Sequence, residues 1–186
     1  MNAHPSPIEA NPAPSRRGLL LAAAGIAAAA GAGLAWWQAQ PPEGSGDPLS
    51  DALWSLSFDT PGGQKLVLAD FKGKPLLVNF WATWCAPCVE ELPLLDRFFK
   101  QNAANSWIVV GLAIDQPSAV QKFLQKLPVT FPIGLAGLGG TDLVKTLGNT
   151  SGGLPFTVVL GAEGKVLHRK MGQVTPADLE LWVRQT

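Results

Sequence analysis

The stretch FWATWCAPCVEELP, from Phe80 to Pro93, contains both cysteines of the 186-residue chain, Cys85 and Cys88, with only Ala-Pro between them. The run PLLVNFW just before it, at 75–81, is continuously apolar and predicts a strand buried on both faces. Apolar residues then recur at helical spacing as far as Phe99. The cysteine pair is therefore predicted to lie where a buried strand ends and a helix begins.

This position favours thiol chemistry. A helix N-terminus carries unpaired N–H groups and about half a positive charge, which stabilise a thiolate, and the thiolate is the nucleophile of disulfide exchange. We expect Cys85 to attack and Cys88, one turn deeper and less exposed, to resolve the mixed disulfide. Pro87, which has no N–H, is tolerated early in a helix and stiffens the link between the thiols.

Two other uses of the pair stay open. A structural disulfide closing so short a loop constrains the unfolded chain little, and a CxxC pair can also hold a soft ion such as Cu(I). The only other strong candidates for metal ligation, His4 and His168, are far apart in sequence, so we expect no structural zinc and no cofactor. Lys+Arg and Asp+Glu are both 14, so no basic excess indicates nucleic acid.

The N-terminal third predicts export. Residues 1–15 resemble a disordered tail, and residues 16–37 begin with Arg16-Arg17 and continue as twenty uncharged residues, Gly18 to Trp37. A helix of that length spans a bilayer, and the arginines place its N-terminus in the cytoplasm. We expect a single-pass anchor through residues 18–37 of the inner membrane with the domain on the periplasmic side. A cleaved signal peptide is the alternative, and twin-arginine export stays open beside the positive-inside rule.

After a linker at 38–51, a single domain is predicted over residues 52–186. The pattern gives β–β–β–α–β–α–α–β–β–α, which is an α/β fold with a mixed sheet flanked by helices. The first strand is expected at the sheet edge in LWSLSF (53–58), and the second in KLVLADF (65–71). Thr141 is the expected cap of one short helix and Gly148 its stop, and Thr175 is the expected cap of the last helix.

The segment NFWATWCAPCVEELP resembles the active-site segment of thioredoxin-fold proteins, specifically the membrane-anchored TlpA/ResA-like branch, over about residues 52–186. GGLPFTVVL is similar to their cis-proline loop, and residues 109–137 resemble the extra helix–strand segment of that branch. The resemblance implies a thioredoxin-like thiol:disulfide oxidoreductase. It makes Cys85 the attacking thiol, Cys88 the resolving thiol and Pro155 the cis-proline that helps to dock the partner chain.

Further site residues follow from the same resemblance. Trp84 is expected to flank the thiols and Pro93 to kink the helix. Glu91 matches an acidic position of the branch. It either takes a proton from Cys88, or opposes thiolate formation by its like charge, or is simply a glutamate stabilised by the helix dipole. Asn79 occupies the position of the buried acid of plain thioredoxin and cannot act as a base, which leaves that task to Glu91 or to water. Phe156, where the branch often has Thr, is expected to add an apolar wall to the partner groove.

The uncharged dipeptide between the cysteines and the two glutamates after them leave the thiolate poorly stabilised, so the pair is expected to be reducing. The resemblance implies a membrane-embedded thiol donor, and as clients the cysteines of cytochrome c or of an oxidase copper site. An exported oxidant or isomerase and a Cu(I)-binding module are the alternative functions; a peroxidase is a weaker one.

Overall fold

The computed structural model describes residues 52–186, which form one α/β domain. The expected tail, anchor and linker fall on residues 1–51 and lie outside the described residues. Among the helices that are described, none combines the length and the apolar character that crossing a membrane requires.

The domain contains seven strands, four α-helices and a short helical segment at 52–54. The strands are β1 (Ser57–Asp59), β2 (Lys65–Val67), β3 (Leu76–Trp81), β4 (Ile108–Ala113), β5 (Ile133–Leu135), β6 (Phe156–Leu160) and β7 (Val166–Met171). The helices are α1 (Ala86–Asn102), α2 (Pro117–Lys126), α3 (Gly140–Thr146) and α4 (Pro176–Gln185), and 3₁₀ turns cover Leu68–Phe71 and Ala103–Asn105. All strands join one mixed sheet in the order β2-β1-β5-β4-β3-β6-β7.

The centre of the sheet is formed by three strands whose side chains are almost all buried. β3 pairs in parallel with β4 and antiparallel with β6, so that Asn79 lies between Gly111 and Thr157. All six residues of β3 are buried, which confirms the expectation of burial on both faces. Because β3 is central, the segment that follows it, with both cysteines, begins in the middle of one end of the sheet.

The prediction for the first strand was wrong in place and extent. Leu53 and Trp54 are consecutive, both buried and helical, so the apolar pattern there belongs to a helical segment at 52–54, and the Leu53 carbonyl accepts a hydrogen bond from the Leu56 N–H. The strand starts only at Ser57 and lies between β2 and β5, which makes β2 the edge strand. The second expected strand is also shorter, because Leu68–Phe71 forms a 3₁₀ turn.

The periodicity missed β5, although the family resemblance implied a strand in this region. The strand has only three residues, with Gly134 in the middle and Pro132 before it. A Cβ on Gly134 would lie 2.9 Å from Leu112 Cδ2 and 3.0 Å from Phe58 Cβ, so a glycine is needed for neighbouring side chains to pack over the strand. This requirement interrupts the apolar run by which a buried strand is recognised.

The helix boundaries are mostly as expected. Thr175 caps α4 in a capping box with Asp178, and Gly148 ends α3 with φ +107°. Thr141 does not cap α3, because the helix already starts at Gly140 and its N-cap is Gly139. The hairpin expected at the end of the domain is formed by β6 and β7.

Two cores lie on opposite faces of the sheet. The α1 face is covered by α1, α2 and α4, and its buried residues include Leu77, Trp81, Cys85, Cys88, Leu92, Val109, Val120, Val159, Leu179 and Trp182. The α3 face includes Leu53, Leu76, Val78, Phe80, Val110, Leu112, Val144, Phe156, Val158 and Leu160. Successive residues of β3 alternate between the two faces.

Candidate active site

The two cysteines form a disulfide at the N-terminus of α1. The S–S distance is 2.05 Å and the Cα atoms are 5.3 Å apart. Cys85 is the N-cap residue, and its Sγ accepts a hydrogen bond from the Cys88 N–H at 3.4 Å. Cys85 is 6% exposed and Cys88 is fully buried, so the order of accessibility is the one expected for an attacking and a resolving thiol.

Exposed and uncharged side chains surround the disulfide. Trp84 is 70% exposed, and Ala86 and Pro87 are also exposed. Met171, the last residue of β7, lies at the same end of the sheet and is 67% exposed. Trp84 and Met171 thus place two exposed apolar side chains at the end of the domain that carries the disulfide.

Pro155 lies at the same end and its peptide bond with Leu154 is cis, as the resemblance implied. Its carbonyl accepts a hydrogen bond from the Gly172 N–H at 2.9 Å. Leu154 is half-buried and packs against the core that contains both cysteines. Within residues 52–186, neither the N–H nor the C=O of Leu154 has a backbone partner.

Phe156 does not form a wall of a partner groove, and that expectation was wrong. Its ring is buried on the α3 face and stacks on Phe80 with the ring centres 5.9 Å apart. The side chains of adjacent strand residues alternate between faces, so the residue after Pro155 is directed away from the α1 face. Pro93 lies inside α1, which continues past it to Asn102.

Glu91 is a buried carboxylate with two hydrogen bonds. It is 1% exposed; its Oε1 accepts from Asn79 Nδ2 at 2.7 Å and its Oε2 accepts from the Val174 N–H at 2.6 Å. Burial raises the pKa of the Glu91 carboxyl, and this effect outweighs the two hydrogen bonds and the charge of Lys170. The residue lies beyond the first turn of α1, so a surface glutamate stabilised by the helix dipole does not describe it.

Cys88 and Glu91 share one side of α1. They are three residues apart, which places them on the same helix face, and both are buried. Glu90, between them in sequence, is exposed and accepts only a long hydrogen bond, 3.4 Å from Gln173 Nε2. The site therefore contains one buried carboxyl near the resolving thiol and one glutamate in solvent.

Asn79 connects this carboxyl to the sheet. It is fully buried, and its Nδ2 donates to both Glu91 Oε1 and Thr157 Oγ1, the latter at 3.1 Å. In the described part of the chain its Oδ1 has no partner. A buried amide oxygen without a hydrogen-bond partner destabilises the fold. Asn79 therefore makes its hydrogen bonds to Glu91 and Thr157 at a cost in free energy of folding.

Some residues that hold the site were missed. Thr157 lies in an otherwise apolar strand, so no sequence signal indicated its role, which follows only from its pairing with Asn79. Asp115, just after β4, accepts hydrogen bonds from the Thr83 N–H at 3.0 Å and from the Thr83 hydroxyl, and so fixes the segment before Cys85. Burial alone would raise the pKa of Asp115, but the hydrogen bonds from Thr83 and Gln116 hold it below its ordinary value. The sequence signal that could have identified Asp115 was an acidic residue directly after a buried strand.

Comparison with known proteins identifies the family. The Redoxin family model matches residues 45–181. The thiol-disulfide oxidoreductase ResA of Bacillus thuringiensis subsp. konkukian (strain 97-27) is 31% identical over 124 residues, covering 66% of this chain and 69% of that protein. ResA of Bacillus subtilis (strain 168) is 32% identical over 127 residues, covering 68% of each chain. The chain belongs to the Redoxin family.

Solved structures agree with this. The thiol:disulfide interchange protein of the thioredoxin family from Chlorobium tepidum TLS is similar with a TM-score of 0.61 and 29% identity, over 70% of this chain and 92% of that one. The expected thioredoxin-like fold and the expected enzyme class, a thiol:disulfide oxidoreductase, are both confirmed.

Proposed function

We propose that this protein is a reductant of disulfides in client proteins on the periplasmic side of the inner membrane. The observation that carries the proposal is the graded burial of the Cys85–Cys88 pair at a helix N-terminus, with Cys85 6% exposed and Cys88 fully buried. A structural disulfide does not require this gradient or the exposed Trp84 beside it.

In the reduced protein, the Cys85 thiolate attacks one sulfur of a client disulfide. The client S–S bond breaks, a mixed disulfide forms, and the other client sulfur leaves as a thiolate. Cys88 then loses its proton and attacks Cys85 Sγ, which restores the Cys85–Cys88 disulfide and releases the second client thiol. Two electrons pass from the protein to the client in each cycle.

Glu91 is the proton acceptor for Cys88 in this proposal. Support comes from its burial on the same helix side and from its raised pKa, which makes the carboxyl a better base than an exposed glutamate. Asn79 keeps one carboxylate oxygen in place and cannot take the proton itself. Glu90 lies in solvent and has no part in the transfer.

The dipeptide between the cysteines and the glutamate that follows them support the reducing direction. Ala86 and Pro87 offer no positive charge to stabilise a thiolate, and the nearby Glu90 is negative. We expect a reduction potential closer to about −270 mV than to about −120 mV, the values for thioredoxin and for a strong oxidant. A value above about −150 mV in a glutathione titration would favour an exported oxidant or isomerase.

A membrane-embedded thiol donor would reduce the pair again, with cysteines of cytochrome c or of a copper site as clients. The support is the resemblance to the ResA-like branch and the apolar run at 18–37, which would anchor the chain. Retention in membranes after alkaline carbonate washing, with the domain accessible only from outside the cytoplasm, is expected. A soluble form that begins near Gly33 would contradict the anchor.

The main test separates the two thiols. Cys88→Ser should accumulate mixed disulfides between Cys85 and its clients, seen as reducible high-mass bands whose mass spectra identify the clients. Cys85→Ser should accumulate few, because the remaining thiol is buried. The opposite pattern would reverse the two roles. If neither folded variant traps a protein while the reduced domain binds Cu(I) tightly, the copper-binding alternative replaces the proposal.

A further inference from the structure

The loop between α3 and β6 is organised by a fully buried asparagine. Asn149 Nδ2 donates to the Gly153 carbonyl at 2.7 Å, and Asn149 Oδ1 accepts from the Ser151 hydroxyl at 2.7 Å. The Ser151 hydroxyl also accepts from the Gly153 N–H at 3.3 Å. The Asn149 side chain therefore holds the Gly153 carbonyl directly and the Gly153 N–H through the Ser151 hydroxyl.

The backbone of Asn149 is held as firmly as its side chain. Its N–H bonds to the Val144 carbonyl at 3.1 Å, which attaches it to α3, and its carbonyl accepts the Gly152 N–H at 2.9 Å. Gly152 has φ +68°, a conformation that suits glycine and lets the chain turn back over the asparagine. A buried amide with partners on both its nitrogen and its oxygen is a rigid support, because rotating it would break both contacts.

This support ends one residue before Leu154, which packs against the core that contains both cysteines. Gly153 is fixed by Asn149, and Pro155 is fixed from the other side by the Gly172 N–H. Leu154 lies between these two fixed residues, at the same end of the sheet as Cys85, with its own N–H and C=O unpartnered among the described residues. The two neighbours thus hold an open peptide edge in place.

From these contacts we infer that Asn149 is a positioning residue for client binding: it holds in place the Leu154 backbone, beside the proline to which the resemblance assigns partner docking, so that this edge can pair with an extended client segment at the end of the sheet that carries Cys85. The inference rests on the proposed function and concerns the client-binding step. An extended segment would gain main-chain hydrogen bonds from this edge, whereas a small disulfide that reaches only Cys85 would gain none. Asn149 itself touches neither the client nor the sulfur atoms.

The test is a comparison of two oxidised probes with the pre-reduced full-length chain in detergent. Insulin serves as the protein disulfide and 5,5′-dithiobis(2-nitrobenzoate) as the small one, and the rate of each single turnover is followed against probe concentration. Asn149→Asp keeps the side-chain shape but replaces the donor to the Gly153 carbonyl by a carboxylate oxygen. Its half-saturating insulin concentration should rise about tenfold, as for the loss of one hydrogen bond, with the small-probe rate and the reduction potential unchanged.

Two further variants of the same loop keep the test decisive if Asn149→Asp does not fold. Ser151→Ala removes the exposed hydroxyl that contacts both Asn149 and Gly153, and should raise the half-saturating insulin concentration about threefold. Thr150→Ala is the matched control, an exposed residue of the loop outside these contacts, and should resemble the wild type.

The outcomes separate this inference from the proposed function. If the wild type reduces neither probe, the proposed function fails first. If the wild type reduces both, but the folded variants of Asn149 and Ser151 bind insulin as the Thr150 variant does, or slow both probes equally, Asn149 has only a structural role.

Discussion

The two faces of the central sheet bury different kinds of side chain, although the same strands supply both. On the α3 face β3 contributes Leu76, Val78 and Phe80, and the partners on β6 are equally apolar. On the α1 face the same strand contributes Leu77, Asn79 and Trp81, and Asn79 meets the buried polar side chains of Thr157 and Glu91.

This difference predicts which substitutions change only the stability of the fold and which also change the reactivity of the thiols. Burying an apolar side chain stabilises the fold by about 1.5–3 kcal/mol, whereas burying a carboxyl opposes folding unless hydrogen bonds compensate it. The raised pKa of Glu91 shows that compensation is incomplete on the α1 face. The α3 face has no such group within residues 52–186. Substitutions on the α3 face should therefore change stability alone, and those on the α1 face should also change the thiols.

The largest effect is expected for Phe80→Ala. The ring is fully buried on the α3 face against Phe156, so its removal should lower the free energy of unfolding by about 3–5 kcal/mol. Urea denaturation of the oxidised protein measures this. The reduction potential of the folded fraction should stay at the wild-type value, because the side chain lies on the opposite face from the cysteines.

Phe80→Leu is the milder companion if the alanine variant is unfolded, because it retains most of the buried volume. In a folded Phe80 variant, the reduction potential should shift by less than about 30 mV, equivalent to about 1.4 kcal/mol for a two-electron couple. A larger shift would contradict the expectation that substitutions on the α3 face change stability alone.

The same contrast explains what the sequence could predict. Strands β3 and β4 and helix α1 were predictable, because long apolar runs and helical spacing indicate the same secondary structure in any tertiary context. The CxxC motif revealed the place of the thiols in the same way. The hydrogen bonds that Glu91 makes with Asn79 and Val174, and that Asn79 makes with Thr157, were not predictable. Asn79, Thr157 and Val174 are separated by up to 95 residues and come together only when the strands of the sheet have paired. Packing requirements at Gly134 and at Trp54 likewise overrode the local patterns.

An intermediate effect is expected for Glu91→Gln, as a change in the pH dependence of stability. The folded-state pKa of Glu91 is raised above its ordinary value of 4.5, so the folded protein retains a proton that the unfolded chain has released. The stabilising contribution is complete below about pH 4.5 and is lost as the pH rises through the folded-state pKa. Replacing the carboxyl by a neutral amide should remove this loss and stabilise the protein at pH 8 by about 1–2 kcal/mol.

The amide of the Glu91→Gln variant can be accommodated, because Asn79 Oδ1 has no partner among the described residues and can turn to accept a hydrogen bond from the substituted side chain. Denaturation at pH 5 and at pH 8 measures the stability, and thiol alkylation against pH should show a changed profile for Cys88. Glu90→Gln is the matched control and should alter neither. Equal behaviour of the two variants would mean that the buried carboxyl does not influence the thiols.

The smallest effect is expected for Thr157→Val, which tests whether the polar row on the α1 face is mutually supported. The change keeps the shape but removes the Oγ1 that accepts from Asn79 Nδ2, so one buried N–H loses its partner while a methyl group is gained. The net loss should be about 0.5–1 kcal/mol in urea denaturation. The reciprocal control is Val158→Thr, one residue along β6 on the α3 face, where a new hydroxyl would be buried among apolar side chains. That variant should lose at least as much stability with unchanged thiol alkylation, whereas Thr157→Val should shift the alkylation profile slightly through Asn79 and Glu91. If Thr157→Val proved neutral in both measurements, the row would end at Asn79, and the α1 face would differ from the α3 face only by the Asn79–Glu91 pair.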